Sequence, residues 1–281
     1  MSQKDTIFYV YPRLSTFIKS DISELGKVYN IRKNTYNWAN KKLAPYFIIK
    51  QFFFFLFRIR KAKCVVVSFG GYWALAPTIC GRLFKVPVYI ILHGTDCAAI
   101  PELNYGSLRK PIQKKVIHWS YINATELLPV SNSLIITSNT FNELLPTKQG
   151  YLNYFPNLKT KNRVIPNGFD ITFWQSNLQK DPSTFISVFS DSQFYLKGGD
   201  LIIDIANHFP NYRFIVAGCE EPQISFPKNL TFKGKMKPEE LRKEYGAAKY
   251  YLQLSSYEGF GCALAEAMLC GCVPIVSNVN S

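Results

Sequence analysis

Short apolar runs rich in β-branched and aromatic residues recur along this chain, each followed by a stretch with helical spacing. "DTIFYVY" (5–11), "CVVVSFGG" (64–71) and "VPVYIILHGTD" (86–96) read as buried strands. Helical stretches follow the first two: "STFIKSDISELGKVYNI", stopped by Gly26, and "YWALAPTICGRLFK" (72–85). "ELLPVSNSLIITSNTFNELL" (126–145) suggests a short strand and a further helix. After "NRVIPNGFD" (162–170) the series restarts, with strands expected at 184–190, 212–218, 229–234, 249–255 and 272–277. Helices fall between them at 199–208, 238–247 and 262–270. Strands buried on both faces and alternating with helices belong to parallel, doubly wound sheets. A layout used twice in 281 residues predicts two Rossmann-like α/β domains, 1–165 and 166–281, facing a ligand cleft.

The composition, 47% hydrophobic and 19% charged, is that of a globular chain. The seven cysteines lie among apolar neighbours without zinc-ligand spacing and read as reduced core residues of a cytosolic protein. The polar lead "MSQKDTIFYVY" does not read as a signal peptide.

The net charge of +14 is uneven. Residues 1–63 hold 13 Lys and Arg against 3 Asp and Glu, whereas the remainder holds 20 against 16. A nucleic-acid partner is disfavoured, because no recognition motif accompanies the charge. Within the basic segment, "WANKKLAPYFIIKQFFFFLFRIRKAK" (38–63) carries an apolar core from Pro45 to Phe57, interrupted by Lys50 and Gln51. That core is short of the roughly 20 residues of a membrane span. Two readings stand: an interfacial helix on an anionic membrane, or a helix buried all round against the sheet.

Two strand–helix junctions in the second half carry the chemistry. "SYEGFG" brings Glu258, Gly259, Phe260 and Gly261 to the start of a helix capped at its end by Gly271. Glycines there let backbone N–H groups approach a phosphate or sugar hydroxyls. Glu266, one turn inside, is either a carboxylate for a vicinal diol or a helix-N-terminal acid favouring the dipole. Lys197 and Gly198 of "KGGD" stand at the other junction, placed for a diphosphate or part of a solvated loop. In the first half, His93 of "HGTD" ends a strand, as a ligand contact or a local hydrogen-bonder, and Asp96 orients it or meets an acceptor.

"VIPNGFD", "KGGDLIIDIA", "FKGKMKPEELRKEYGAAKYYLQLSSYEGFGCALAEAMLCGCVPIVS" and "HGTD" together resemble the family 4, or group 1, retaining glycosyltransferases of GT-B fold. The likeness is strongest over 162–278 and looser from Val65 to Ser138. It implies a nucleotide-sugar donor on the second domain. Glu258 and Glu266 match the family's E-x7-E pair, near the sugar and on the ribose respectively. Phe260 and Gly261 match backbone contacts to the donor, Lys197 its diphosphate lysine, and His93 a contact to the transferred sugar. No metal or cofactor is implied, since Lys197 and helix N-termini offset the diphosphate charge. The glutamates would then not act as the acid and base of a glycosidase.

The expected role is assembly of a polysaccharide, lipopolysaccharide, capsule or glycolipid at the cytoplasmic membrane face, on a glycan or lipid-linked acceptor. Two departures are visible. "FSDSQFYLKGG" lacks the family's arginine beside the lysine, and the "YPRLSTF" loop lacks its glycine pair, leaving Arg13 as the local charge. These departures keep open an alternative, a weak or inactive nucleotide-sugar-binding subunit. The family continues beyond "CVPIVSNVNS" by a further βα unit and a final helix, so the second domain reads as incomplete, as after a truncation.

Overall fold

The structure, a computed structural model, describes residues 4–142 and 145–279. They form two compact units, residues 4–138 with 145–168, and residues 139–142 with 169–279.

The first unit alternates β1 (Thr6–Val10), α1 (Thr16–Val28), β2 (Asn30–Asn34), α2 (Ala44–Arg58), β3 (Cys64–Ser68), α3 (Tyr72–Phe84), β4 (Val88–Leu92), α4 (Pro111–Asn123) and β5 (Glu126–Pro129). A short hairpin, β6 (Thr137–Ser138) with β7 (Lys148–Gln149), and the turn α5 (Tyr151–Tyr154) complete it. Its five strands are parallel, in the order β2-β1-β3-β4-β5. The second unit runs β8 (Asp181–Val188), α6 (Gly199–His208), β9 (Arg213–Ala217), β10 (Leu230–Phe232), α7 (Pro238–Ala247), β11 (Ala248–Gln253), α8 (Cys262–Leu269) and β12 (Val273–Val276). Its sheet is also parallel, in the order β10-β9-β8-β11-β12. The chain is thus an α/β protein of two doubly wound sheets, as its alternating pattern predicts.

Each sheet buries its central strands on both faces. Ile7, Tyr9, Val65, Val67 and Ile90 are buried in the first unit, and Ile186, Phe214, Val216 and Tyr251 in the second. All seven cysteines are free, and five of them are buried. Cys270 and Cys272 belong to the core beneath α8.

Several expectations need correction. Gly26 does not stop α1: the helix runs to Val28, closed by the Tyr29 N–H on the Leu25 carbonyl at 2.8 Å. The strand that follows, "NIRKN", was not expected, because an edge strand half open to water carries little hydrophobic pattern. Among the described residues of 130–142 no α-helix follows β5. Residues 131–138 form a 3-10 turn at Asn132–Leu134 and then β6, with Ser131 and Ser133 hydroxyls 2.7 Å apart. Ser and Asn side chains compete with the helical backbone there. Glu143 and Leu144 of that expected helix lie outside the described residues. The sequence reading also left α4 unassigned.

Residues 38–63 place their helix with one face buried and the other exposed. α2 buries Ala44, Gln51 and Phe55 against the sheet, where Phe55 meets the Phe8 ring edge-on at 5.4 Å. Its opposite face is exposed, up to 74% at Phe57. The buried-all-round reading is therefore overturned. Phe55→Ala is expected to cost about 3–5 kcal/mol in denaturant unfolding of the chain, through a core cavity. Phe57→Ala should change stability by no more than about 0.5 kcal/mol. Equal costs would contradict this facing of α2.

Candidate functional site

In the second unit the strand order reverses at β8. The chain moves outward from β8 to β9 and β10, then returns to β11 on the other side of β8. Loops leaving neighbouring strands at such a reversal diverge, opening a crevice at the strands' carboxyl ends. The two flanking loops, β8–α6 and β11–α8, are the ones that carry Lys197 and Glu258.

Both helices start on a left-handed glycine. Gly198 (φ 71°) caps α6, and a Cβ there would stand 2.5 Å from the Leu254 carbonyl oxygen. Gly198 thus permits the two loops to touch, which the Ser256 N–H reinforces by donating to the Leu196 carbonyl at 2.8 Å. Gly261 (φ 79°) caps α8 in the same way. At the far end of α8, Gly271 N–H meets the Met268 carbonyl and Cys272 N–H the Ala267 carbonyl, a Schellman closure. The two helix N-termini bring their positive dipole ends to one region.

Lys197 Nζ sits 2.5 Å from Glu258 Oε2, with the lysine side chain 18% and the glutamate side chain 9% exposed. Ser255 Oγ donates to the same oxygen at 3.1 Å. A nearly buried ion pair is retained against a desolvation cost of several kcal/mol per ion, so it needs such extra donors. The loop is held from two further sides. Asn139 Nδ2 donates to the Ser256 carbonyl at 2.6 Å, and Ser277 Oγ to the Ser255 carbonyl at 2.6 Å. Phe260 is half-buried and stacks on Phe169 with ring centroids 6.0 Å apart. Gly259 is buried within the loop.

Glu266 is half-buried one turn into α8, and its carboxylate makes no hydrogen bond or ion pair among the described residues. Burial pushes its pKa up from 4.5 to about 7. A carboxyl group kept there without a protein partner has acceptor capacity to offer a ligand.

The first unit presents a second group at the carboxyl edge of its sheet. His93 follows β4, partly open at the surface, with Phe17 and Phe69 rings at 4.5 and 4.4 Å. Ser68 Oγ lies 2.9 Å from its Nε2. Desolvation among these rings lowers the imidazole pKa to about 3, so the ring is neutral at pH 7. Phe69 holds a left-handed φ of 64°, a strained value for a non-glycine residue.

Asp96 is 1% exposed. Its carboxylate accepts from Gly70 N–H at 2.7 Å, from His93 and Gly94 N–H at 3.2 Å each, and from the Tyr121 hydroxyl at 2.9 Å. Desolvation raises its pKa, opposed by these donors. Its contact with His93 runs through the backbone N–H, not the imidazole, and the carboxylate has no open surface. Arg13 is exposed in the β1–α1 loop and makes no ion pair among the described residues.

The second unit thus gathers Lys197, Gly198, Glu258, Gly259, Phe260, Gly261 and Glu266, and the first gathers His93 and Asp96. Sequence reasoning missed Ser255, Asn139 and the aromatic walls Phe17 and Phe69. Ser255 stood inside the quoted motif without a distinctive spacing. Asn139 reaches its loop from more than a hundred residues away. Among the described residues, no group of three or more His, Cys, Asp or Glu side chains is placed to hold a metal ion.

Removing either charge strands the other. Lys197→Met is expected to destabilise the chain by about 3 kcal/mol, and adding Glu258→Gln should recover most of that loss in denaturant unfolding. Glu266 makes stability fall with rising pH. Its folded pKa exceeds the unfolded value, so the native state binds the extra proton between about pH 4.5 and 7. Glu266→Gln should therefore stabilise the ligand-free chain by about 1–2 kcal/mol at pH 8, discounted for its residual exposure. That gain should vanish at pH 4.5 in thermal melts.

Residues 170–281 match the family model described as Glycosyl transferases group 1. The chain is 25% identical over 232 residues to the GDP-mannose:cellobiosyl-diphosphopolyprenol alpha-mannosyltransferase of Xanthomonas oryzae pv. oryzae (strain PXO99A), covering 74% of this chain. It is 28% identical over 193 residues, 61% of this chain, to the alpha-galactosylglucosyldiacylglycerol synthase of Streptococcus pneumoniae (strain ATCC BAA-255 / R6). The matched stretches span 60% and 50% of those relatives' own lengths. In structure, sucrose-phosphate synthase from Thermosynechococcus elongatus superposes with a TM-score of 0.68 at 14% identity, over 99% of this chain and 82% of that one. The chain therefore has the fold of the GT-B glycosyltransferases, and its residues 170–281 are similar to the glycosyl transferases group 1 domain.

Proposed function

We propose that this protein transfers a sugar, with retention of anomeric configuration, from a nucleotide-sugar donor to a glycan or lipid-linked acceptor. The observation that carries this reading is the Lys197–Glu258 ion pair set between two glycine-capped helix N-termini at the strand-order reversal. A diphosphate entering this crevice takes the ammonium of Lys197 from Glu258 and adds the N–H groups of α6 and α8. Glu258, released from its cation, then faces the donor sugar. Glu266 accepts from the ribose hydroxyls, for which its carboxylate must be ionised.

The sugar's C1–O bond to the diphosphate breaks through an oxocarbenium-like state. The acceptor oxygen bonds to C1 on the face the diphosphate leaves, and the acceptor proton passes to a diphosphate oxygen. Lys197 and the helix ends stabilise the leaving charge, so no metal is required. His93, neutral at pH 7, meets the transferred sugar by a hydrogen bond rather than as an acid.

Both named relatives act on or make a polyprenol- or diacylglycerol-linked glycan by their descriptions, which supports a lipid-linked acceptor here. The reaction is assigned to the cytoplasmic face of a membrane, in polysaccharide, lipopolysaccharide, capsule or glycolipid assembly. Among the described residues no helix is long and apolar enough to cross a bilayer, and the association we propose is peripheral.

One observation favours a second reading, a nucleotide-sugar-binding subunit with weak turnover. The β8–α6 loop offers Asp191, whose carboxylate accepts from Glu220 N–H at 2.8 Å, and has no second cation before Lys197.

A panel of nucleotide sugars in thermal-shift and transfer assays tests both. One donor should raise the melting temperature and be turned over, with product of unchanged anomeric configuration by NMR. Lys197→Ala and Glu266→Ala should each weaken donor binding by about tenfold or more. No response to any donor sinks the proposal, and binding without turnover favours the second reading.

A further inference from the structure

We propose that the outward face of α2 is a docking surface for an anionic lipid bilayer. The inference rests on the peripheral membrane placement proposed above and names the surface that provides it. Tyr46, Ile49, Phe53 and Phe57 are 56%, 57%, 51% and 74% exposed. Their spacing of three, four and four residues sets them on one face of the helix, opposite Ala44, Gln51 and Phe55. The core therefore makes no demand on these side chains. The Phe53 and Phe57 rings stack on each other outside it, centroids 6.5 Å apart and 17° from coplanar. A continuous stripe of large apolar side chains on a water-facing helix marks an interaction surface.

Charge identifies the occupant. Between Glu24 and Asp96 the sequence holds 12 Lys and Arg and no acidic residue. Lys42, Lys50 and Arg60 are exposed on α2 or its flanking turns, with Lys50 Nζ 5.9 Å from the centre of the Tyr46 ring and Arg60 4.2 Å from that of Phe84. A helix with an aromatic stripe bordered by cations lies in the bilayer interface, rings among the acyl chains and cations among anionic headgroups. At 15 residues α2 is too short to span. A nucleic acid would satisfy the cations and leave the stripe wet. A second copy of the same face would set like charges against each other.

The chain path gives the surface a direction. α2 follows β2, so its N-terminal end lies at the carboxyl edge of the first unit's sheet, where Trp38 meets Trp73 of α3 at 6.0 Å. That edge also carries the His93 turn. The N-terminal end of the stripe, at Tyr46, therefore lies toward the same edge of the sheet as the turn expected to contact the transferred sugar.

Co-sedimentation of the full chain with phosphatidylglycerol-containing vesicles and with pure phosphatidylcholine vesicles, at low and high salt, tests the proposal. Retention is expected on the anionic vesicles at low salt only. Phe53→Ser with Phe57→Ser, which leaves every charge in place, should reduce it by about tenfold or more. Lys42→Gln with Lys50→Gln, a second and independent variant, should also weaken it. A Tyr46→Trp reporter should be quenched by brominated lipid. Absent retention overturns the proposal, as does undiminished retention of the Phe53/Phe57 variant, which would show polyanion binding by charge alone. A self-associated chain dissociated by that variant, without vesicle retention, overturns it in favour of a second copy. Donor-induced thermal shift in the same Phe53/Phe57 variant reads the transferase proposal separately, and is expected to persist.

Discussion

The reversal of strand order at β8 is the constraint on which the second unit's chemistry depends. Parallel strands require crossover helices, and a sheet that grows outward from one strand in both directions must send two adjacent crossovers to opposite faces. The helices that follow β8 and β11 therefore run to opposite faces, while the loops leading into them meet above a shared boundary. Every charged residue singled out in the second unit lies on one of these loops or in the first turns of the helices they begin. Sequence distance, 61 residues between Lys197 and Glu258, is erased by topology.

Within that boundary, the ion pair decides how the ligand-free site rests. An isolated ammonium or carboxylate at this depth would carry an unpaid desolvation cost. Each satisfies the other, with Ser255 adding a donor to Glu258. Glu266 is handled differently: it has no partner and stays near neutrality by taking a proton more readily. The second unit thus contains one satisfied charge pair and one acid whose charge depends on pH near neutrality.

The sequence made the alternation, the two sheets and the glycine-flanked acids legible because buried parallel strands and capped helices leave strong local patterns. α6 and α7 begin and end where the spacing places them, at Gly199–His208 and Pro238–Ala247. What escaped was non-local or weakly patterned. β2 is a polar edge strand that owes its structure to β1. The helix expected after β5 gave way to serine-rich turns. The two-faced character of α2 was hidden because phenylalanine is the residue on both faces, so only packing separates Phe55 from Phe57. Asn139 belongs, with residues 140–142, to the second unit although the chain up to 138 and from 145 to 168 belongs with the first.

Asp96 has a consequence for how the first unit can move. One carboxylate gathers the amides of Gly70, His93 and Gly94 and the hydroxyl of Tyr121, so the turns after β3 and β4 and the body of α4 share a single anchor. Displacing either turn alone would leave several buried donors unanswered at once. The His93 turn is therefore a jig rather than a clamp: its shape is set before anything reaches it, and it can move only together with the turn after β3 and with α4.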